Sequence, residues 1–356
     1  MASELDAIVI GGGQAGLASG YYLKKNGLKF MILEAGEHAT GSWPNYYDSL
    51  KLFSPVRLSS LPGMRISGAA THYPSRNEVI QYLKAYAQRL DLPIRTNQRV
   101  IAVEKTENGF SVQAAAGDVY LARTIINATG SFHNPHTPDI NGAEVFQGEI
   151  LHSSAYRNPT RYRGQRVVVV GRGNSAVQIA VELADNSHTS LAVLRPVQLT
   201  KTKVLGIDLH FWLRAVGLDT FPFWRFGKKP PIPNSVADLD DYRARLKARK
   251  PDQRLMFTSF YAEGVIWPDG TKEPVDTVIF ATGYRPNLSY LQPIGALDIE
   301  GKPTHKAGIS LTVPGLYYVG LEGQRSFASA TLRGVGPDAK YVVRKLMRYL
   351  KIRNHL

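Results

Sequence analysis

A strand, a glycine turn, a helix and a second strand occur twice in this chain, and that repeat constrains its fold most. The first copy is DAIVIGGGQAGLASGYYLKKNGLKFMILE, residues 6–34. Ala7 to Ile10 is a short apolar run suited to a strand buried on both faces. Gly11, Gly13 and Gly16 follow as GxGxxG. The first glycine permits the tight turn, the second lets backbone approach a pyrophosphate, and the third allows helix to pack on strand. The amides of Gln14 and Ala15, at the start of the helix, would face the phosphates. The second strand ends in Glu34, 23 residues past Gly11. A carboxylate there accepts both hydrogen bonds of a ribose diol and repels a 2′-phosphate. A lone glycine turn is a weak signal; with strand, helix, second strand and terminal acid at the required offsets it reads as a dinucleotide cradle.

The same grammar returns in QRVVVVGRGNSAVQIAVELADNSHTSLAVLRP, residues 165–196. Gly171, Gly173, Asn174, Ser175 and Ala176 form the turn, with Ala in place of the third glycine, a substitution the motif tolerates. Arg195 stands 24 residues past Gly171, where the first copy has Glu34. A cation there suits a 2′-phosphate, so this cradle is expected to take NADPH, assisted by Ser175, Lys201 and Lys203. TIINATG and TVIFATG, ending at Gly130 and Gly283, are two further echoes. Each reads as the strand leaving a nucleotide-binding sheet, with small residues where the chain passes a cofactor or the other domain.

The expected fold is therefore α/β, with two Rossmann-like dinucleotide-binding domains, the NADPH domain inserted into a split FAD domain. The FAD domain is placed at 1–160 and 285–356, and the NADPH domain at 161–284 with a helical insertion at about 200–250. The insertion is the least legible stretch. Its apolar run, aromatics and Lys-Pro turn suit ordinary core packing best. A roof over a substrate pocket and a membrane-surface contact are the alternatives. Asp238 to Lys250 reads as a solvated helix with charge pairs.

Composition removes several classes. The chain has 356 residues and no cysteine, which excludes disulfide scaffolds, thiolate metal sites and a dithiol relay; no metal is expected. The net charge of +14 is spread along the chain without a nucleic-acid-binding signature, so no nucleic-acid partner is expected. MASELDAIVIGGG has no basic region before a short apolar run, and no apolar stretch is long enough to cross a bilayer, so a cytoplasmic protein is expected.

FQGEILHSSAY, residues 146–156, fits neither a helix nor a strand by its Phe, Gly, His and Tyr offsets, and reads as a linker loop. With Phe146, Gly148, His152 and Tyr156 it matches a pattern F-x-G-x-x-x-H-x-x-x-Y/F. Beside it stand GSW at 41–43, YPSRNEVIQYLKAYA at 73–87, VDTVIFATGYRPN, and GLYYVGLEGQRSFASATLRGVGPDAK at 315–340. Together these resemble the class B flavin monooxygenases, in their bacterial and plant flavin-containing monooxygenase-like branch. The resemblance covers essentially the whole chain. It implies FAD contacts at Trp43, Val100, Thr129, Gly130, Gly320 and Gly334, and places Thr282 and Gly283 at the nucleotide sites. It gives His152 the task of coupling the interdomain linker to NADP⁺ binding, without acid–base work. It implies that NADPH reduces FAD, that a C4a-hydroperoxide forms with O₂, and that a soft S or N nucleophile of a small molecule is oxygenated.

Two departures bear on this. Where animal-type members carry an Asn after Gly-x-Trp, SLKLFSPVR has none, leaving Ser54 as the candidate hydroperoxide contact. Leu321-Glu322 stands where many relatives have Gly-Asp. Tyr156 followed by Arg157, in place of a Trp, leans away from Baeyer–Villiger chemistry. The rival readings are an NADPH oxidase or flavin reductase feeding O₂ or a quinone, and a nucleotide-binding module without turnover.

Overall fold

The computed structural model describes residues 5–132, 134–228, 230 and 235–353. Its first sheet is opened by β1 (Leu5–Ile10), followed by α1 (Gln14–Lys25), β2 (Phe30–Leu33), α2 (Arg76–Arg89) and β3 (Ile94–Arg95). A hairpin of β4 (Val100–Lys105) and β5 (Phe110–Ala114) leads into β6 (Val119–Asn127). The second sheet begins with β7 (Glu149–His152) and β8 (Arg166–Val170), followed by α3 (Asn174–Leu183) and β9 (His188–Val193). Next come β10 (Gln198–Lys201), β11 (Lys203–Val204), β12 (Ile207–Asp208), α4 (Leu209–Ala215), β13 (Ser235–Asp238) and α5 (Tyr242–Lys247). They are followed by β14 (Asp252–Leu255), a small antiparallel sheet of β15 (Ser259–Tyr261), β16 (Gly264–Ile266) and β17 (Lys272–Pro274), and then β18 (Thr277–Phe280). The chain closes with β19 (His305–Lys306), β20 (Ile309–Ser310), β21 (Leu316–Tyr318) and α6 (Leu332–Arg353).

The two large sheets share one layout. The first runs β3-β2-β1-β6-β21 through its parallel part, and the second runs β14-β9-β8-β18-β7. β1 lies between β2 and β6 with Ile8 opposite Met31 and Ile125. β8 lies between β9 and β18 with Val168 opposite Ser190 and Val278. All of these pairs are parallel, so helices or loops must cover both faces. Ala7 and Val9 pack with Leu17, Leu83 and Val342 from α1, α2 and α6, while Ile8 and Ile10 face Val103 and Val112 of the hairpin. In the second sheet Val167 and Val169 face α3, while Val168 and Val170 face Phe257, Phe260 and Trp267. The run RVVVV is apolar throughout because each face has its own cover.

Several expectations are corrected. The stretch read as a loop contains β7, which pairs in parallel with β18 (Leu151 opposite Ile279) and forms the edge of the second sheet. Strand pairing across the sheet, which the local pattern does not carry, fixed that segment. The inserted sheet therefore begins at residue 149, inside the range 1–160 given to the outer domain. The insertion at 200–250 is also not mainly helical: it holds β10 to β13, with α4 and α5 only seven and six residues long. No residue of α4 is buried, so core packing holds only for the later part of the stretch, where Val236 and Tyr242 are buried. The expected helix from Asp238 to Lys250 shrinks to α5, with Tyr242 buried against α3.

α6 carries an unusual buried carboxyl. Asp338 is 1 % exposed and pairs with Arg325 Nη1 at 3.1 Å. Burial, opposed by Ser329 and Arg325, raises its pKa to about 6. The folded chain then binds more protons than the unfolded chain between about pH 4 and pH 6. Its contribution therefore weakens as pH rises through that window and is level above it. Urea midpoints measured across the window should lose about 2 kcal/mol of this pH dependence in Asp338→Asn.

Candidate active site

The first glycine turn is shaped by backbone contacts. Gly11 has φ +104°, and a Cβ there would lie 2.7 Å from the Ala128 carbonyl oxygen. A Cβ on Gly16 would overlap the Gly11 carbonyl oxygen, so the third glycine is what lets α1 sit on β1. Gly13 lies against Gly41 of the GSW stretch, and Gly320 (φ +95°) lies against Ala15. α1 starts at Gly13 with no side-chain cap and no acid in its first turn. α2 is the contrast, closed by a capping box in which Glu78 accepts from Ser75 N at 2.8 Å. The uncapped amides of α1, which include Gln14 and Ala15, are a ready site for an anion.

Glu34 is 7 % exposed, and its two oxygens accept from Gly12 N (2.6 Å) and Gly36 N (2.8 Å). A carboxylate has about four acceptor sites, so two remain for a diol. Gln14 accepts from Trp43 Nε1 at 3.2 Å and donates to Ala330 O at 2.6 Å, tying the GSW loop to the turn before α6. Gly334 admits that turn, because a Cβ there would overlap the Ala328 carbonyl. Thr129, beside Gly130, bonds Asn127 Oδ1 through its N (3.2 Å) and Oγ1 (3.0 Å), and Tyr290 donates to the same oxygen at 3.0 Å. Val100 is half-buried at the head of β4, two residues after Gln98, whose N donates to Glu34 O.

The second turn repeats these contacts. Gly171 has φ +136°, and a Cβ there would overlap the Ala281 carbonyl oxygen and stand 3.2 Å from Ala176 Cβ. Gly173 faces open space. α3 begins behind Gly173 with no side-chain cap and no first-turn acid. Asn174 Oδ1 is buried without a partner, an acceptor left for a donor from outside the chain. Ser175 stands beside the Tyr47 hydroxyl. Arg195 is exposed two residues past β9, and Lys201 and Lys203 are exposed on β10 and β11. Among the described residues none of the three takes part in an ion pair, so their charge is available to a phosphate.

Between the turns the two crossovers run side by side. Pro135 and Tyr284 form an antiparallel bridge, with His136 N donating to Gly283 O and Arg285 N to Asn134 O. Thr282 Oγ1 donates to His136 O on the same crossover. His152, at the end of β7, reaches the pair. Ser154 N donates to its Nδ1 at 3.1 Å, so Nε2 carries the proton and donates to Gly283 O at 3.0 Å. Burial pushes its pKa down. A neutral imidazole thus fills the second acceptor site of a carbonyl that His136 already uses. Rings then continue from His152 to Tyr284 (4.9 Å), Phe132 (5.3 Å), Tyr46 (5.8 Å) and Trp43 (5.6 Å). Sequence reasoning missed Tyr46, Phe132 and Tyr284. Only their spacing in space, through separate loops, makes them one path between the cradles.

The remaining fingerprint positions are structural. Phe146 packs on Phe260 at 5.1 Å, and a Cβ on Gly148 would lie 2.6 Å from the Asp276 carbonyl oxygen, so only glycine lets the chain pass there. Tyr156 is fully buried, stacked on Tyr162, and donates to Glu182 Oε2 at 2.8 Å. It has no surface for a substrate and bears on chemistry only through the fold. Ser54 is 4 % exposed and lies 2.9 Å from Ser59 Oγ. Because Ser59 donates to the Ser54 and Pro55 carbonyls, the Ser54 proton goes to Ser59. Next to it, the Phe53 ring meets His210 of α4 at 5.8 Å and the Arg333 guanidinium at 5.7 Å. Arg333 is paired through Nε to Asp219 at 3.0 and 3.2 Å, both side chains buried. The segment from β10 to residue 228 is therefore a flap latched over the start of α6.

Tyr156→Phe should lower stability by about 1–2 kcal/mol in urea unfolding and leave the rate of nicotinamide oxidation unchanged. His152→Ala should raise the KM for the reduced nicotinamide about tenfold, the cost of one lost hydrogen bond. The unaltered protein should show no titration step in kcat/KM between pH 6.5 and 8, because a His with a lowered pKa stays neutral there.

Residues 8–216, more than half of the chain, match the model of the family described as pyridine nucleotide-disulphide oxidoreductase. An oxidoreductase of Geobacillus kaustophilus described as CzcO-like is 35% identical over 97% of this chain and 99% of its own. A flavin-containing monooxygenase from Stenotrophomonas maltophilia superposes with a TM-score of 0.85 at 31% identity, covering 98% of this chain and 99% of that one. The indole-3-pyruvate monooxygenase YUCCA4 of Oryza sativa subsp. japonica is 29% identical over 97% of this chain and 88% of its own. A bacillithiol disulfide reductase from Staphylococcus aureus, at 20% identity and a TM-score of 0.75, shares the fold alone. The chain belongs to the pyridine nucleotide-disulphide oxidoreductase family and is a flavin monooxygenase-like oxidoreductase, of a group whose cofactors are FAD and NADPH.

Proposed function

We propose that this enzyme is an NADPH-dependent FAD monooxygenase that oxygenates a sulfur or nitrogen atom of a small molecule. FAD is assigned to the outer domain, residues up to 148 and from 284 onward, and NADPH to residues 149–283. The observation that carries the reading is the pair of uncapped helix N-termini, at Gly13 and Gly173, joined through one two-stranded crossover. With no cysteine in the chain, electrons passed between the two nucleotides have no thiol outlet. The monooxygenase names borne by the Stenotrophomonas and Oryza relatives support O₂ as the acceptor.

The bound cofactors supply hydride transfer and oxygen activation. The chain supplies position and shelter. The α1 amides and the Glu34 carboxylate hold a pyrophosphate and an unphosphorylated ribose, while Trp43, Val100, Thr129, Gly130 and Gly320 line the same cradle. The α3 amides and Ser175 hold the second pyrophosphate, and Asn174 Oδ1 is left to accept from a hydroxyl of its ribose. Arg195, with Lys201 and Lys203, takes the 2′-phosphate. His152 holds the Gly283 carbonyl so that the crossover keeps its shape when the nucleotide arrives. The flap latched by Asp219 and Arg333 keeps water from the site, which oxygen transfer requires.

One observation favours a second reading. The Ser54 hydroxyl is committed to Ser59, and SLKLFSPVR offers no amide side chain, so an NADPH oxidase releasing H₂O₂ would use the same cradles. The deciding experiment follows NADPH, O₂ and H₂O₂ under air, with and without a thioether or a tertiary amine. Oxygenated product with H₂O₂ well below the NADPH consumed supports the monooxygenase; stoichiometric H₂O₂ with every substrate establishes the oxidase. Arg195→Ala should raise the KM for NADPH about 10- to 100-fold and leave NADH nearly unchanged. An equal loss for both nucleotides would refute the phosphate role.

A further inference from the structure

The outer surface of the flap, residues 198–228, has a charge pattern that the cofactor chemistry uses only through Lys201 and Lys203. Its two acidic side chains are both spent inside the protein. Asp208 accepts from Tyr73 OH and pairs with His210 at 3.1 Å, and Asp219 is locked to Arg333. The charges left in solvent are all cationic: Lys201, Lys203, Arg214, Arg225 and Lys228. Among them stand Leu205 at 87 % exposure, Val216 at 66 %, Phe226 at 65 % and Phe221 at 39 %. Seven of the eighteen exposed large apolar side chains among the described residues fall within 204–226, a concentration in one segment that ordinary surface scatter does not give. Phe221 and Phe226 are already stacked, 5.7 Å apart and 8° from parallel.

Leu205 is the most telling residue. It sits with Gly206 at the tip of the β11–β12 hairpin, and both have positive φ, +51° and +75°. Such two-residue turns favour Asn-Gly, because a branched side chain is strained in the left-handed region. The chain instead places an exposed leucine there, at a cost in turn stability that nothing inside the protein recovers.

We propose that this flap docks on an anionic lipid surface, with Leu205, Phe221 and Phe226 among the acyl chains and Arg214, Arg225 and Lys228 over the headgroups. Apolar anchors interleaved with cations are what such a surface binds. A second copy of the chain is a poor occupant: a two-fold contact would set like charges against each other in a protein of net charge +14. No helix among the described residues is long and apolar enough to cross a membrane, so the contact is interfacial. Through His210 on Phe53 and Asp219 on Arg333, the inner side of the same flap touches the candidate active site.

The test is flotation of the full-length, cofactor-loaded protein with phosphatidylcholine vesicles and with vesicles enriched in phosphatidylglycerol. Binding should favour the anionic vesicles and weaken in high salt. Leu205→Asn and Phe226→Ser should each cut the partition coefficient about tenfold. Leu205→Asn should also leave thermal stability equal or higher, since Asn tolerates that backbone, and neither variant should alter NADPH oxidation in vesicle-free buffer. Lys228→Glu should weaken binding to the anionic vesicles alone. Absence of binding to anionic vesicles, or unchanged binding in both apolar variants, overturns the proposal. So does equal retention on soluble polyglutamate, which would reduce the patch to charge. A concentration-dependent dimer in sedimentation that Phe226→Ser abolishes would assign the patch to a second copy instead.

Discussion

In each domain the carbonyl of an Ala-Thr-Gly segment occupies the place where a side chain on the first turn glycine would stand. Ala128 does this to Gly11, and Ala281 to Gly171. The neighbouring strands are locked at the same level, Ala128 N donating to Ile10 O and Ala281 N to Val170 O. Any side chain at either glycine would part the strand ends. The turn, and with it the free amides of α1 or α3, would then move. The cradles are thus built from backbone packing, and what they offer a phosphate is a helix end left uncapped.

The two domains meet through little covalent structure, and one uncharged side chain braces the crossovers between them. His152 is on the inserted sheet, yet its proton goes to Gly283 on the returning crossover, which is bonded to the outgoing one at His136. A lysine in that place would bring a charge into a buried site at considerable cost. A neutral imidazole gives a directed donor without one, with its tautomer fixed by Ser154 N. The rings from His152 to Trp43 pack edge to face along the same boundary, so the separation of the cradles is set by side-chain contacts as well as by the chain path.

The flap is fastened by a different kind of interaction. Asp219 and Arg333 are buried together, and removing either would leave an uncompensated charge in the interior, a large penalty compared with that of breaking an exposed pair. Such a latch gives little net stability but a well-defined position. It also explains the outward surface, because one of the two acids of the flap is consumed in forming it.

Much of this was legible in the sequence because it is local. Strand, turn, helix and terminal Glu34 or Arg195 follow one another at fixed offsets, and glycine spacing carries its own steric reason, so the two nucleotide folds and their nesting could be read directly. The segment from Phe146 to Tyr156 was misread as a loop, since what makes Glu149–His152 a strand is its partner at Thr277–Phe280, well over 100 residues away. Ser54 and Tyr156 looked like chemistry until their hydroxyls were seen to be engaged with Ser59 and Glu182. The flap gave no periodic signal because its short strands and turns are held by contacts to Phe53, Tyr73 and Arg333 from elsewhere in the chain. The sequence by itself determined the two glycine turns and the charge that ends each second strand, because those depend on neighbours in the chain. Only the tertiary structure decided where the domains join, which polar groups are already satisfied and which face of the flap meets solvent, because those depend on residues that folding alone brings together.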